Sequence, residues 1–225
     1  MATATLRWGK VWKDESVYMN EQDVLKLYTL LGYHGVQLWL DGGWGIDALL
    51  GRQTRPHKDL DAFVAFTDLP TLTRVLSQQG FGLKQIWEEN QWLRHAGDVP
   101  LIGNPATSDE VATAFVLQDG RGRELDCHVL HIAEDGYPTP AWRCSLAFTP
   151  DDLSGQGMIA GVPVQCLSAA MHMRTHLGYE LQAKDKQDLR HLHEQFGIVY
   201  PAELADLRTE PAEETDHAHS ASSQQ

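Results

Sequence analysis

Apolar positions recur along the chain with two different spacings, and each change of spacing marks an element. After Asn20, residues Val24, Leu27, Tyr28 and Leu31 follow the i, i+3, i+4, i+7 spacing of one helix face, with Asn20 as cap and Gly32 and Gly35 as stops. A strand is expected over 36–40 (VQLWL), running into Asp41-Gly42-Gly43, followed by a short helical stretch over 44–50 and a basic loop from Gly51 to Lys58. LDAFVAF (60–66) is the next strand, and Thr67 or Asp68 with Pro70 opens a helix to about Gln78. FGLKQIW (81–87) is a third strand. VATAFVLQ (111–118), DGRG and RELDCHVLHI (123–132) pattern as a hairpin, and MIAGVPVQCL (158–167) as another. From Ser168 onward the spacing is helical, in two pieces broken near Gly178.

Strands with intervening helices, then hairpins, then helices predict an α/β or α+β protein with a mixed sheet, flanking helices and a helical C-terminal part. The expected divisions are an N-terminal extension (1–18), a core (19–167), C-terminal helices packed on it (168–200) and an acidic tail (201–225). This tail, 201–225, is expected to be disordered, and its last stretch, 209–225, is polar and small.

Composition narrows the partners. The chain has 225 residues, 42% hydrophobic and 22% charged, which is globular and needs no disulfides to hold a core. A formal charge of −13 argues against DNA and general nucleic-acid binding, which need clustered Lys and Arg. Any anion site must therefore be local. Three cysteines, Cys127, Cys144 and Cys166, without a C-x-x-C, fit reduced core residues of a cytoplasmic protein. No stretch approaches the ~18 apolar residues of a membrane span, and the first 18 residues alternate Trp, Lys, Asp and Glu where a signal peptide would be apolar.

The chemistry concentrates in LWLDGGWGIDALLGRQTRPHKDLDAFVAF (38–66). Two glycines at a strand end let backbone N–H groups converge on an anion at the start of the next helix. Gly43 to Ala48 also fits the loose dinucleotide pattern G-x-G-x-x-A. The position of the acids separates the two readings. A dinucleotide unit places one acid at the end of its second strand, whereas Asp59 and Asp61 stand at the beginning of theirs. To reach the glycines, strands 36–40 and 60–66 must run antiparallel, which a right-handed βαβ unit forbids. Residues i and i+2 of a strand face the same way, so the two carboxylates point together, about 6–7 Å apart at their Cα atoms. Paired hard oxygen ligands suit Mg²⁺, and the loop cations Arg52, Arg55, His57 and Lys58 suit a triphosphate. The bland alternatives are an exposed strand end and a solvated basic turn.

An attacking hydroxyl must also lose a proton, which asks for a further acid. RELDCHVL alternates Glu124, Asp126 and His128 with Leu125, Cys127 and Val129, so an acidic face is backed by an apolar one. Asp126 is the first choice and Glu124 its competitor. Either could equally be surface charge on a half-exposed strand.

Taken together, Gly42-Gly43-Trp44-Gly45-Ile46-Asp47, then Arg55-x-His57-x-Asp59-x-Asp61, then Leu125-Asp126-x-His128 closely resemble the lincosamide nucleotidyltransferases and the aminoglycoside 2''-O-nucleotidyltransferases. These are small members of the DNA polymerase β-like nucleotidyltransferase superfamily. Cys166-Leu167-Ser168, His176-x-Gly178-Tyr179 and Lys184-Asp185 with Asp188 look like that group's C-terminal helices, and the likeness covers roughly 20–197. Trp44 stands where the wider superfamily has a small Ser-like residue, a departure this subgroup shares. The resemblance implies a mixed-sheet nucleotidyltransferase fold and transfer of a nucleoside monophosphate, AMP from ATP, to a hydroxyl of a small molecule, a lincosamide or aminoglycoside antibiotic. By the same resemblance Asp59 and Asp61 ligate Mg²⁺ (two ions) and Asp126 is base or third ligand. Gly42, Gly43, Trp44, Arg55, His57 and Lys184 then form the nucleotide site. A homodimer is compatible with it. The competing expectations are a nucleotide-binding regulatory module without turnover, or transfer to a protein or RNA hydroxyl.

Other signals are weaker. His172 and His176 lie one helical turn apart without the Glu of H-E-x-x-H, and are expected to be a stacked or surface pair. Trp39 and Trp87, in strands, are expected in the core, while Trp44, Trp92 and Trp142 are candidates for an acceptor cleft.

Overall fold

Asn20 caps the first helix as its sequence suggests, its side chain accepting from the Asp23 N–H at 3.0 Å. The structure is a computed structural model and describes residues 18–95, 102–104 and 106–208. In chain order the elements are α1 (Glu21–Tyr33), β1 (Leu38–Asp41), α2 (Gly42–Leu50), β2 (Asp59–Ala65) and α3 (Leu69–Gln78). There follow β3 (Gly82–Ile86), β4 (Leu93–Arg94), β5 (Glu110–Val111), β6 (Ala114–Gln118), β7 (Glu124–Ile132) and β8 (Pro138–Pro140). The chain continues through β9 (Gly155–Ile159), β10 (Val162–Cys166), α4 (Ala169–Thr175) and α5 (Ala183–Phe196). The main sheet runs β3-β6-β7-β2-β1-β10-β9, with β8 added beside β7 and β4-β5 forming a separate ladder.

The sheet is mixed, as expected, and its register sets up everything that follows. β1 and β2 are antiparallel, pairing Asp41 with Asp61, and β2 is parallel to β7, pairing Asp61 with Asp126 and Asp59 with Glu124. Three aspartates thus stand side by side on three neighbouring strands. Leu60, Leu125 and Cys127, at the alternating positions, are wholly buried in the main core with Val24, Leu27 and Leu31 of α1.

Three departures from the sequence pattern have physical causes. The stretch 111–118 is split, because β5 turns away to pair with β4 and only β6 continues the hairpin. Residues 202–208, assigned above to the acidic tail, instead form a 3₁₀ turn, since Leu204 and Leu207 are buried with Ile46, Met173, Leu189 and Leu192. That cluster fastens α4 and α5 onto α2. Lastly, β3 carries a bulge. Its register steps from Leu83 opposite Leu117 directly to Gln85 opposite Val116, leaving Lys84 extra. Of the expected divisions, residues 1–17 and 209–225 lie outside the described residues.

Candidate active site

A cleft of about 480 Å³ opens where β1 and β2 meet the start of α2, and it is walled on the far side by α4 and α5. Asp41, Gly42, Gly43, Arg55, His57, Lys58, Asp59, Asp61, His176, Tyr179 and Lys184 line it, so the expected glycines, paired acids and three cations of the basic loop come together, while Arg52 lines a separate, smaller pocket beside Trp44 and Asp126 stands one strand over from Asp61. Gly42 has φ +56, and an added Cβ would sit 2.2 Å from Asp61 Oδ2. The carboxylate and the missing side chain occupy one space. At Gly43 a Cβ would meet the His57 ring at 2.1 Å. Bare backbone is thereby brought against both the acids and the basic loop.

The basic loop is tied down by charge pairs. Asp47, buried in α2, accepts from the Thr54 N–H at 3.0 Å and hydroxyl at 2.6 Å, and its other oxygen lies 2.5 Å from His57 Nε2. Arg55 Nη1 lies 3.0 Å from His57 Nδ1. A guanidinium can only donate, so Nδ1 accepts and the ring hydrogen sits on Nε2 facing Asp47. Arg55 also donates to Asp188 of α5, Nη2 at 2.6 Å and Nε at 3.4 Å. Burial works against the guanidinium charge, but Asp188 outweighs it and holds the Arg55 pKa above its ordinary value. Lys184, exposed in the first turn of α5, lines the same cleft. Trp44 does not reach the cleft. It is 1% exposed and packs against the His57 ring at 4.9 Å, so any part it plays passes through His57.

The acids are arranged differently. Asp61 is pushed well above the ordinary carboxylate range by burial first, then by Asp59, Asp126 and Asp41, with Lys184 opposing. Asp126 is also raised by burial, against the opposing pull of His128 and of the Trp87 N–H. Asp41, which sequence reasoning passed over, lies on the cleft wall with Oδ1 3.2 Å from His172 Nδ1. Burial raises Asp41, yet His172 more than offsets it and the carboxyl titrates below its usual value. The one signal for Asp41 was its place immediately before the glycine doublet. Glu124, the competitor to Asp126, is occupied by Lys84 at 2.5 Å and the Gln118 amide at 2.7 Å.

His172 of α4 and His176, which ends that helix, are neither stacked on each other nor on the surface. His172 is wholly buried where a Gly45 side chain would stand, and His176 Nδ1 donates to the His172 carbonyl at 2.7 Å. Trp142 is buried against Phe63, Phe148 and His128, and Trp92 packs on the main core. Trp39 packs half-buried against the second core cluster as expected, and so does Trp87. Its indole N–H points at Asp126, with Nε1 2.8 and 3.1 Å from the two oxygens.

Comparison with known proteins gives one consistent picture. A family model described as aminoglycoside-2''-adenylyltransferase matches residues 23–98 and 100–192. The lincosamide resistance protein of Staphylococcus haemolyticus is 22% identical over 175 residues, covering 77% of this chain and 94% of that protein. A 2''-aminoglycoside nucleotidyltransferase of Klebsiella pneumoniae is 31% identical over 134 residues, and the matched stretch covers 58% of its length. Among solved structures, the lincosamide antibiotic adenylyltransferase LnuA with lincomycin bound superposes with a TM-score of 0.62 at 24% identity, over 78% of this chain and 98% of that one. ANT(2'')-Ia in complex with adenylyl-2''-tobramycin gives 0.56 at 20% identity, over 79% and 89%. At these identities the structural likeness is one of fold.

Proposed function

Because the chain belongs to the aminoglycoside-2''-adenylyltransferase family of nucleotidyltransferases, we propose that it transfers AMP from ATP to a hydroxyl of a small antibiotic, a lincosamide or an aminoglycoside. The observation that carries this reading is the single cleft in which Asp59 and Asp61 face Gly42-Gly43, Arg55 and Lys184. Acids for a metal and donors for phosphates share one space.

Mg²⁺ fits this donor set. Among the described residues no three His, Cys, Asp or Glu side chains converge to hold an ion unaided. Mg²⁺ needs no such cage, since it takes one or two carboxylates and completes its shell with phosphate oxygens and water. Asp61, half-buried among like charges, is where a cation relieves most repulsion. Asp59 and Asp61 would hold the ion, with Asp126 as a third ligand if it turns from its base role, and the ion would neutralise phosphate charge during displacement.

The chain's own groups then act as follows. N–H groups at the Gly42-Gly43 turn and the start of α2 receive phosphate oxygens, and Arg55 and Lys184 balance their charge. His57 and Asp47 keep the Arg55 guanidinium in place, with Asp188 holding it from the other wall. Asp126 takes the proton of the acceptor hydroxyl, whose oxygen forms the bond to the α-phosphorus as the bond to the bridging oxygen breaks and pyrophosphate leaves. A cytoplasmic setting, where ATP is available, fits three cysteines that are all unpaired.

The test is incubation with ATP, Mg²⁺ and a panel containing lincomycin and tobramycin, read by mass spectrometry and pyrophosphate release. An acceptor carrying one adenylyl group supports the reading. Nucleotide binding with no product from any hydroxyl acceptor, small molecule or macromolecule, would instead make the chain a regulatory module.

A further inference from the structure

We infer that Trp87 is the positioning residue for Asp126, an inference that rests on the base role proposed above. One indole hydrogen shared between both carboxylate oxygens, with Nε1 at 2.8 and 3.1 Å, restrains rotation of the carboxylate about its own axis. His128 approaches from within the same strand, its Nδ1 3.9 Å from Asp126 Oδ1, too far for a direct hydrogen bond. Of the two neighbours, Trp87 makes the directional contact.

A single extra residue creates this contact. Leu83 pairs with Leu117, so unbroken alternation would set Trp87 opposite Thr113, on the face of Phe115 and Leu117 that lies in the main core. The bulge at Lys84 advances the register by one. Ile86 therefore pairs with Phe115, and the Trp87 N–H donates to the Ala114 carbonyl at 3.0 Å. Ala114 pairs with His128 and Val116 with Asp126, so Trp87 is delivered to the acidic face of the sheet. The half-buried ring packs against the second core cluster while its N–H is turned to Asp126.

Two variants separate positioning from packing. Trp87→Phe keeps an aromatic ring without the donor, and 3-benzothienylalanine at position 87 replaces the N–H by sulfur in nearly the same shape. For both, kcat is expected to fall between ~10- and ~10²-fold with KM for ATP and acceptor within about twofold, because a misplaced base costs the chemical step and not binding. An acceptor-independent readout accompanies this. In a ¹H–¹⁵N spectrum the indole N–H signal that Trp87→Phe removes should shift upfield in Asp126→Ala. Wild-type kcat in the benzothienyl protein, or an indole signal indifferent to Asp126→Ala, overturns the inference. Failure of the underlying reading is distinct, since it is recognised by full turnover in Asp126→Asn, which leaves Trp87 nothing to position.

Discussion

The aspartates around Arg123 and those at the cleft are built on opposite principles. Around Arg123, Asp119 accepts from Nε at 2.7 Å and Nη2 at 2.6 Å, and Asp23 of α1 accepts from Nη1 at 2.5 Å. Burial acts to raise Asp119, but Arg123 and two backbone N–H groups outweigh it and hold its carboxyl below the ordinary range. At the cleft, Asp61 faces Asp59, Asp126 and Asp41 with Lys184 as the counter-charge, and is driven far upward. One group brings its cation within the fold. The other leaves charge uncompensated beside a space large enough for a nucleotide, a stability cost characteristic of working sites.

The comparison fails unless the two groups respond differently to substitution. The largest effect is expected from Asp126→Asn, with turnover falling on the order of 10³-fold while calorimetry with Mg²⁺ and a non-hydrolysable ATP analogue shows binding largely retained. A parallel loss of affinity would make Asp126 chiefly a ligand. Next comes Arg123→Met, which leaves two buried carboxylates unpaired and should cost about 3–5 kcal/mol in urea unfolding with kcat unchanged. Its acid limb should change too. Because folding lowers the Asp119 pKa, the wild type carries that stability in full above the unfolded carboxylate pKa and loses it as pH falls toward the folded value. In Arg123→Met this pH-dependent loss should shrink.

Asp61→Asn should show the reverse signature, losing at least ~10²-fold in turnover while its melting temperature stays level or rises, because repulsion is relieved. A fall in both would place Asp61 among the structural acids. The smallest effects belong to the basic wall. Lys184→Ala should raise KM for ATP by about tenfold with less change in acceptor KM, and Arg55→Ala should do the same. An effect confined to the acceptor would move that residue to the other half of the site.

What could be seen in the sequence follows from which interactions are local. Asp59 and Asp61 lie two residues apart on one strand, so alternation alone puts them together, and their need to meet the glycines implied the antiparallel β1–β2 pairing that the structure shows. Asn20 and its helix are likewise local. Arg55 with Asp188, and Asp41 with His172, are joined only by tertiary packing, and no spacing announces them. Trp87 packs against a core cluster as expected, but its contact with Asp126 was hidden, because strand alternation assumes an unbroken register and a one-residue bulge reverses the face of everything after it. The end of the chain misled for another reason. Residues 201–208 were grouped with the acidic stretch that follows them, yet two leucines at the right interval, Leu204 and Leu207, suffice to seat them.

The shared volume at Gly42 has a consequence for how this site can change over generations. Any side chain at position 42 would need the place held by Asp61 Oδ2, so neither position is free to vary while the other is in use. The two therefore form a coupled pair in which a substitution at the glycine strains the backbone and displaces the carboxylate from its present place. Among descendants of this chain, a residue with a Cβ at position 42 should be found together with loss of the aspartate at position 61, and such a sequence would mark a protein that keeps the sheet but has given up the reaction.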